Sequence, residues 1–438
     1  MPNHQQSLIF IKPGRRCQTG PLLKKGATLL QTHAGMRDLD AHTDICGSRE
    51  VYDAERKSCI DATSIRGRRL ALKRHLALLE RGPAHRACTD TIGFTQTYGT
   101  CWFNAICNAM FFSDMGNKLM RALYVDWVCG VRSSDPARLK LLQRFRTMME
   151  LTTAPPERML DGYTIGTAGK DGRSRLLPPV RAELLVKALH NHSPTHFKNI
   201  GRDYGYFENR SYLKELFIFL GIPRERIANL QYRGRRTSDF KANLSELLQR
   251  KRSRPVVILV YLDMAERSAM PRKINISPGM FEQQVERGSE YVLDATVLIN
   301  SDLHRGGHAI AGVTCGGRPM IIDSNLGKHT RQWIRNRIAW RASREPSPEV
   351  QAEQRSRVFW YDWAGGTEKV KTVTGVTVEG RASRKVLVYY NRGLVECLYR
   401  RSCKGEGSVA HEWLKHSERG PVHEQVRLRL KKELRSCA

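Results

Sequence analysis

Residues 94–114 read FTQTYGTCWFNAICNAMFFSD. An extended-looking start turns at Gly99-Thr100, and apolar residues then recur at helical spacing, with Cys101 at the mouth of the helix and Gln96 five residues before it. Ser113, Asp114 and Gly116 interrupt the pattern, so 101–129 predicts two consecutive helices.

The textures on either side decide the fold class. Further helices are predicted over 136–152, 178–192 and 211–223, the last ending in Gly-Ile-Pro, and over SDFKANLSELLQRKRSRP at 238–255. After that come short β-branched or aromatic runs: PVVILVYLD, EYVLDATVLIN, HAIAGVTC, RPMIIDSN, RVFWYDWAG, KVKTVTGVTV and RKVLVYYNR. Helices followed by strands imply an α+β chain. Residues 1–60 lack apolar periodicity and are expected to form a flexible basic arm. Residues 61–400 form the expected globular domain, helical over about 66–250 and sheet over about 255–395, and 401–438 a basic helical tail. The run SIRGRRLALKRHLALLERGP at 64–83 predicts a basic amphipathic helix that packs on the domain surface.

With 438 residues and 40% hydrophobic content, the chain can bury a large core without metals or disulfides. Its net charge of +30 points to nucleic acid or another polyanion as a partner, since clustered cations gain affinity by displacing counterions. QYRGRRTSDF and QRKRSRP are basic loops that could join the tail in holding such a partner. The eleven cysteines include no CxxC pair, which argues against a zinc ribbon and against a fully paired secreted scaffold. No cofactor or metal is expected. The N-terminus lacks a signal-peptide core and VVILVYL is too short to span a bilayer, so the expectation is an intracellular chain, cytoplasmic or nuclear, with no membrane partner.

The nucleophile of a cysteine enzyme is the thiolate, and a free thiol with a pKa near 8.5 needs an electropositive setting to reach that form. A helix N-terminus supplies part of it through unpaired N–H groups, which also favour a developing oxyanion. Cys101 occupies such a place, and Gln96 can return its side-chain amide to the same side as an oxyanion donor. Cys107, six residues on, faces another side of the helix and reads as core; Cys315 reads as structural. Trp102 either shields the thiol or packs, and Asn104 and Asn108 are helix polar positions.

A base is needed next. His308 is preceded by Gly306-Gly307 and followed by an apolar strand that turns at Gly316-Gly317 into RPMIIDSN. A two-residue hairpin there sets His308 opposite Asn325 and puts Asp323 on the same face one diagonal away, with a side-chain acceptor within reach of His308 Nδ1. His304 is the reserve base, in the charged setting DLHRGG.

QTYGTCWFNA resembles the cysteine box of papain-like peptidases, and GHAIAGVTCGGRPMIIDSNLG resembles their histidine box, in the same chain order. The Gln-to-Cys interval matches that of ubiquitin-specific proteases, whose cysteine box has the same shape. The Asp-Ser of IIDSN is similar to that of ubiquitin-like-protein peptidases, which place His before Cys. Against papain, Ser324 falls at the closing Asn, with Asp323 and Asn325 beside it, and the Cys-to-His interval of about 200 residues is longer. The resemblance covers roughly forty residues. It implies a papain-like fold, with a helical lobe carrying the Cys and an antiparallel sheet lobe carrying the His. The implied thiol protease cleaves peptide or isopeptide bonds with Cys101, His308, Asp323 and Gln96, Asn325 standing as fallback for Asp323. Its implied substrates are proteins, ubiquitin or ubiquitin-like conjugates among them, and a deconjugating or viral processing peptidase fits; in the viral case the location is a virion or host cell. An acyltransferase or transglutaminase-like enzyme of the same fold, and an inactive basic nucleic-acid-associated protein, are the alternatives.

Overall fold

The computed structural model of the chain describes residues 50–53, 58–61, 93–96, 99–129, 136–152, 164–167, 174–178, 180–197, 212–232, 237–262 except 252, 270–277, 289–299, 308–325, 358–360, 369–371, 377–379 and 384–404. Isolated positions elsewhere, among them Cys88, Trp363 and Cys437, are also described. Most of the expected N-terminal arm, most of the 64–83 helix, His304 and the 424–436 part of the tail lie outside the described residues.

Strands β1 (Glu50–Asp53) and β2 (Ser58–Asp61) pair antiparallel, within and just past the segment expected to be an arm. Three helices follow: α1 (Cys101–Phe112), α2 (Asp114–Cys129) and α3 (Pro136–Leu151). A ribbon of β3 (Thr164–Thr167) and β4 (Ser174–Leu177) precedes α4 (Ala182–His192) and α5 (Tyr212–Leu220). Then β5 (Ile227–Tyr232), α6 (Thr237–Gln249) and β6 (Val257–Leu262) make a parallel strand–helix–strand unit. The chain continues through β7 (Lys273–Ile276), β8 (Ser289–Ile299), β9 (Ala309–Cys315), β10 (Arg318–Ile322) and β11 (Val358–Trp360). The ribbon of β12 (Lys369–Lys371) with β13 (Thr377–Glu379) comes next, and β14 (Arg384–Asn391) runs directly into α7 (Arg392–Cys403).

Eight of these strands form one mixed sheet in the order β11-β10-β9-β8-β14-β6-β5, with β7 added on β8. The fold is therefore mixed α/β. The purely antiparallel sheet expected from sequence is corrected by the parallel β5–β6 pair. Nor do helices and strands divide at about residue 250, since β3, β4 and β5 fall in the part expected to be helical. β5 was missed because IANLQY alternates too weakly to stand out, and a parallel strand draws its pairing from a partner across a helix.

Both faces of the sheet are covered, and the period of two in each strand sorts residues between them. In β6, Val257, Leu259 and Tyr261 join the core that contains α1 to α5 and α7, while Ile258, Val260 and Leu262 face Phe240, Leu244 and Leu248 of α6. In β9, Ala309, Ala311 and Val313 face the side of α1, and their small size lets α1 lie close against β9. Every residue of α1 from Cys101 to Phe111 is buried, the mark of a helix enclosed by other layers.

A bulge ties the sheet to α2. Between Val388↔Ala295 and Tyr389↔Leu293 the β8–β14 register slips, leaving Asp294 as the extra residue. Its Oδ2 accepts from the Met115 and Gly116 N–H groups at 2.7 and 3.1 Å, capping α2 with a side chain from another element. Burial first, and repulsion from Asp114 second, push this carboxyl up to about 7 against the pull of the Ser113, Gly116 and Met115 hydrogen bonds. A carboxyl whose folded pKa is raised contributes stability that is full below its unfolded value and is lost as pH rises through the folded value. The stability advantage of wild type over Asp294→Asn is accordingly expected to shrink by a few kcal/mol, roughly, between pH 4 and pH 8, read by denaturant titration at each pH.

The described residues also pair Cys88 with Cys315 and Cys397 with Cys437 as disulfides, spanning 227 and 40 residues. Pairs so distant carry no spacing signature, and the sequence reading proposed none of them. Among the described residues, no helix is long and apolar enough to cross a membrane, and no group of three or more His, Cys, Asp or Glu is placed to hold a metal ion.

Candidate active site

Cys101 is the first residue of α1, after Thr100 at the N-cap. The Thr100 carbonyl accepts from Asn104 N–H at 3.0 Å, so the first-turn N–H groups beside the sulfur have no partner of their own within the helix. Asn104 Nδ2 reaches back to Thr100 Oγ1 at 3.5 Å. Trp102 makes an edge-to-face contact with Tyr212 at 5.1 Å, which places its ring in the helical core. Cys107 is fully buried, and burial alone pushes its thiol well above the ordinary range, so it stays protonated core.

His308 enters on the hairpin. Gly316 and Gly317 both take left-handed φ values, 57° and 76°, which makes a tight two-residue turn that residues with a Cβ adopt only under strain. The register runs Arg318↔Cys315 through Ile322↔Ala311, and continuing it places His308 opposite Asn325, as expected from sequence. The turn is anchored twice. Asp114, at the start of α2, accepts from Gly316 and Gly317 N–H at 3.0 and 2.9 Å, and the Cys88–Cys315 disulfide adjoins the turn.

At the open end of this hairpin His308 Nε2 lies 2.8 Å from Asp323 Oδ1. The sequence reading gave Asp323 the other ring nitrogen, Nδ1; register settles which residues face each other but not the rotation of the ring, which packing decides. With Nε2 engaged, Nδ1 is the nitrogen left for the Cys101 sulfur. Burial by itself would lower the basicity of His308, but hydrogen bonding to Asp323 and to Cys101, with the attraction of both groups, raises it to about 10. Cys101, His308 and Asp323 are 2%, 4% and 1% exposed, so these interactions act where water screens them little.

Asn325 closes the group. Its main-chain N–H donates to Asp323 Oδ1 at 2.9 Å, and its side-chain Nδ2 lies 3.4 Å from His308 Nε2. Both candidates for the third position thus stand against the same imidazole, with Asp323 nearer.

Gln96 reaches the site through a short extended segment. Its N–H donates to the Ser324 carbonyl at 2.9 Å, and its side-chain Nε2 donates to Asn325 Oδ1. The segment is held from below by Asn108 of α1, a residue whose part the sequence reading left at that of an ordinary helix polar position. Asn108 Oδ1 accepts from Phe94 N–H at 2.6 Å and Nδ2 donates to the Phe94 carbonyl at 3.3 Å, so one fully buried amide satisfies a whole peptide unit. Its sequence signal was its place seven residues after Cys101 on a helix otherwise apolar at that depth. Asn108→Ala is expected to cost about 1–3 kcal/mol, because both Phe94 groups are left buried and unpaired. Hydrogen exchange at the Phe94 amide should accelerate, which denaturation and exchange mass spectrometry would read together.

The gathered groups are those of nucleophilic acyl chemistry: a thiol at a helix N-terminus, a base held by a carboxylate, and an amide donor across from them. Neither protein-family profiles nor curated protein sequences give a match to the chain. Among solved structures it is similar to the SAGA Ubp8/Sgf11/Sus1/Sgf73 DUB module bound to ubiquitin aldehyde, at 10% identity over 78% of this chain and 79% of that one, TM-score 0.33. It is also similar to the same module bound to monoubiquitin, at 10% identity over 82% and 84%, TM-score 0.34, and to the yeast SAGA DUB module at 11% identity over 78% and 77%, TM-score 0.30. Likeness at this level leaves the reading of the site to its own geometry.

Proposed function

We propose that the chain is a thiol hydrolase that cleaves peptide or isopeptide bonds. The observation that carries this reading is the meeting of Cys101, at the N-terminus of a buried helix, with a His308 that Asp323 holds by the opposite ring nitrogen. Cys101 gives its thiol proton to His308 Nδ1, and its Sγ attacks the scissile carbonyl carbon to form a tetrahedral oxyanion that faces the first-turn N–H groups of α1 and the Gln96 amide. As it collapses, the C–N bond breaks and His308 Nδ1–H gives its proton to the departing amine, leaving a thioester on Cys101. His308 then takes a proton from water as the water attacks the thioester, and returns it to the sulfur as the acid is released. Asp323 keeps the ring in the required tautomer and stabilises the imidazolium.

Because the Gln96-to-Cys101 interval matches that of ubiquitin-specific proteases, ubiquitin-like conjugates are the first substrates to offer. The test is to express wild type and Cys101→Ala side by side, add a panel of ubiquitin-like conjugates to each, and identify new protein termini. Termini that appear only with wild type carry the reading; identical termini in the two would sink it, and leave a basic protein whose partners are polyanions.

A further inference from the structure

The contact between Gln96 and Asn325 contains a mismatch that points to a role for Asn325. His308 Nε2 donates its proton to Asp323 Oδ1, yet the group of Asn325 that lies 3.4 Å from the same nitrogen is Nδ2, also a donor. At the far end of the chain of contacts, Gln96 Nε2 donates to Asn325 Oδ1, and Gln96 Oε1 is buried with no hydrogen-bond partner among the described residues. Two donors face each other at one end and an acceptor is stranded at the other, an arrangement that buried polar groups ordinarily avoid.

Turning both terminal amides by 180° moves no chain atom, sets an acceptor opposite His308 Nε2–H, gives Gln96 Oε1 a donor, and leaves a single enclosed NH2 to be satisfied by a ligand. Asn325 Oδ1 then faces His308 Nε2–H as a second acceptor beside Asp323, and Asn325 Nδ2–H donates to Gln96 Oε1. Gln96 Nε2 takes the buried position that Oε1 now holds. The main-chain N–H of Asn325 stays on Asp323 Oδ1 throughout, so the residue that aims the glutamine is also locked to the carboxylate that aims the histidine.

We propose that Asn325 is a positioning residue which, by donating to Gln96 Oε1, turns the Gln96 NH2 into the enclosed position that Oε1 now holds, where a substrate carbonyl oxygen would accept from it. This rests on the thiol-hydrolase reading above. Gln96 is the group that touches substrate, and Asn325 acts through it.

Asn325→Asp is the discriminating variant, since it removes the donor while keeping size and acceptors. A carboxylate at 325 can only accept, so it would draw a Gln96 N–H toward itself and away from the substrate. Steady-state kinetics of the full chain are expected to show kcat on the pH plateau falling about 10²-fold, close to the effect of Gln96→Ala, with KM little changed. The double variant Gln96→Ala/Asn325→Asp should be no slower than Gln96→Ala alone. If Asn325→Asp keeps kcat within a few-fold of wild type, or if its loss multiplies with that of Gln96→Ala, the proposal is overturned. Neutron diffraction from perdeuterated wild-type crystals reads the same point without turnover: two deuterons on the Asn325 atom that faces Gln96 support the proposal, and a bare oxygen there refutes it. Absence of any hydrolysis by wild type would count against the hydrolase reading alone, because the neutron result stands apart from it.

Discussion

Cys101→Ala is expected to lower hydrolysis of a cleavable conjugate by about 10⁶-fold, the scale seen when a hydrolase loses its nucleophile. The reasoning is that the remaining groups can only polarise the carbonyl, and a helix N-terminus with one amide donor leaves a residual effect of roughly 10³-fold over water. Binding should persist, because Cys101 is nearly enclosed and its replacement by Ala removes one atom from a site built mostly by α1 and the β9–β10 hairpin. Stopped assays at single turnover, with an electrophilic substrate analogue as a label, would check both halves. Wild type should be labelled at Cys101 ahead of Cys107, whose thiol burial keeps protonated. Labelling of Cys107 or Cys403 in preference to Cys101 would contradict the assignment of the nucleophile.

Asp323→Asn carries the second largest expected effect, a fall in kcat of about 10⁴-fold if the carboxylate works as in other triads. Direction on the pH axis is the sharper test. His308 is raised to about 10, against the lowering effect of burial, by its bonds to Asp323 and Cys101. Removing the carboxylate leaves burial less opposed, so the alkaline limb of the rate profile should move to lower pH. The same linkage appears in stability. A histidine whose folded pKa is raised contributes stability that is full below its unfolded value near 6.5 and is lost as pH rises through about 10. Wild type should therefore exceed Asp323→Asn in stability most below pH 6.5, and the gap should close above pH 10. An unmoved alkaline limb would shift the orienting role to Asn325, whose side-chain amide stands 3.4 Å from the same nitrogen.

Position within the fold explains why these residues were unevenly legible. The two consecutive helices broken at Ser113 and the hairpin turning at Gly316-Gly317 depend on contacts within a few residues, so periodicity and turn chemistry reveal them. Asn108 and Asp294 were opaque for the opposite reason. Asn108 looks like any polar residue on a helix until the 94–96 segment folds over it, and Asp294 looks like a lone charge in a strand until a bulge turns it to the start of α2.

By itself the sequence determined that a cysteine would stand at the entry of an apolar helix, that His308 would lie across a tight hairpin from Asn325, and that Asp323 would share their face. Each follows from local spacing, which chain geometry converts directly into relative position. Only the tertiary structure decided that Asp323 takes Nε2 of His308, that Gln96 meets Asn325, that a parallel strand completes the sheet, and that Cys88 joins Cys315. Those outcomes turn on side-chain rotation and on contacts between segments as much as 229 residues apart, where packing of the whole core selects among arrangements that are locally equivalent.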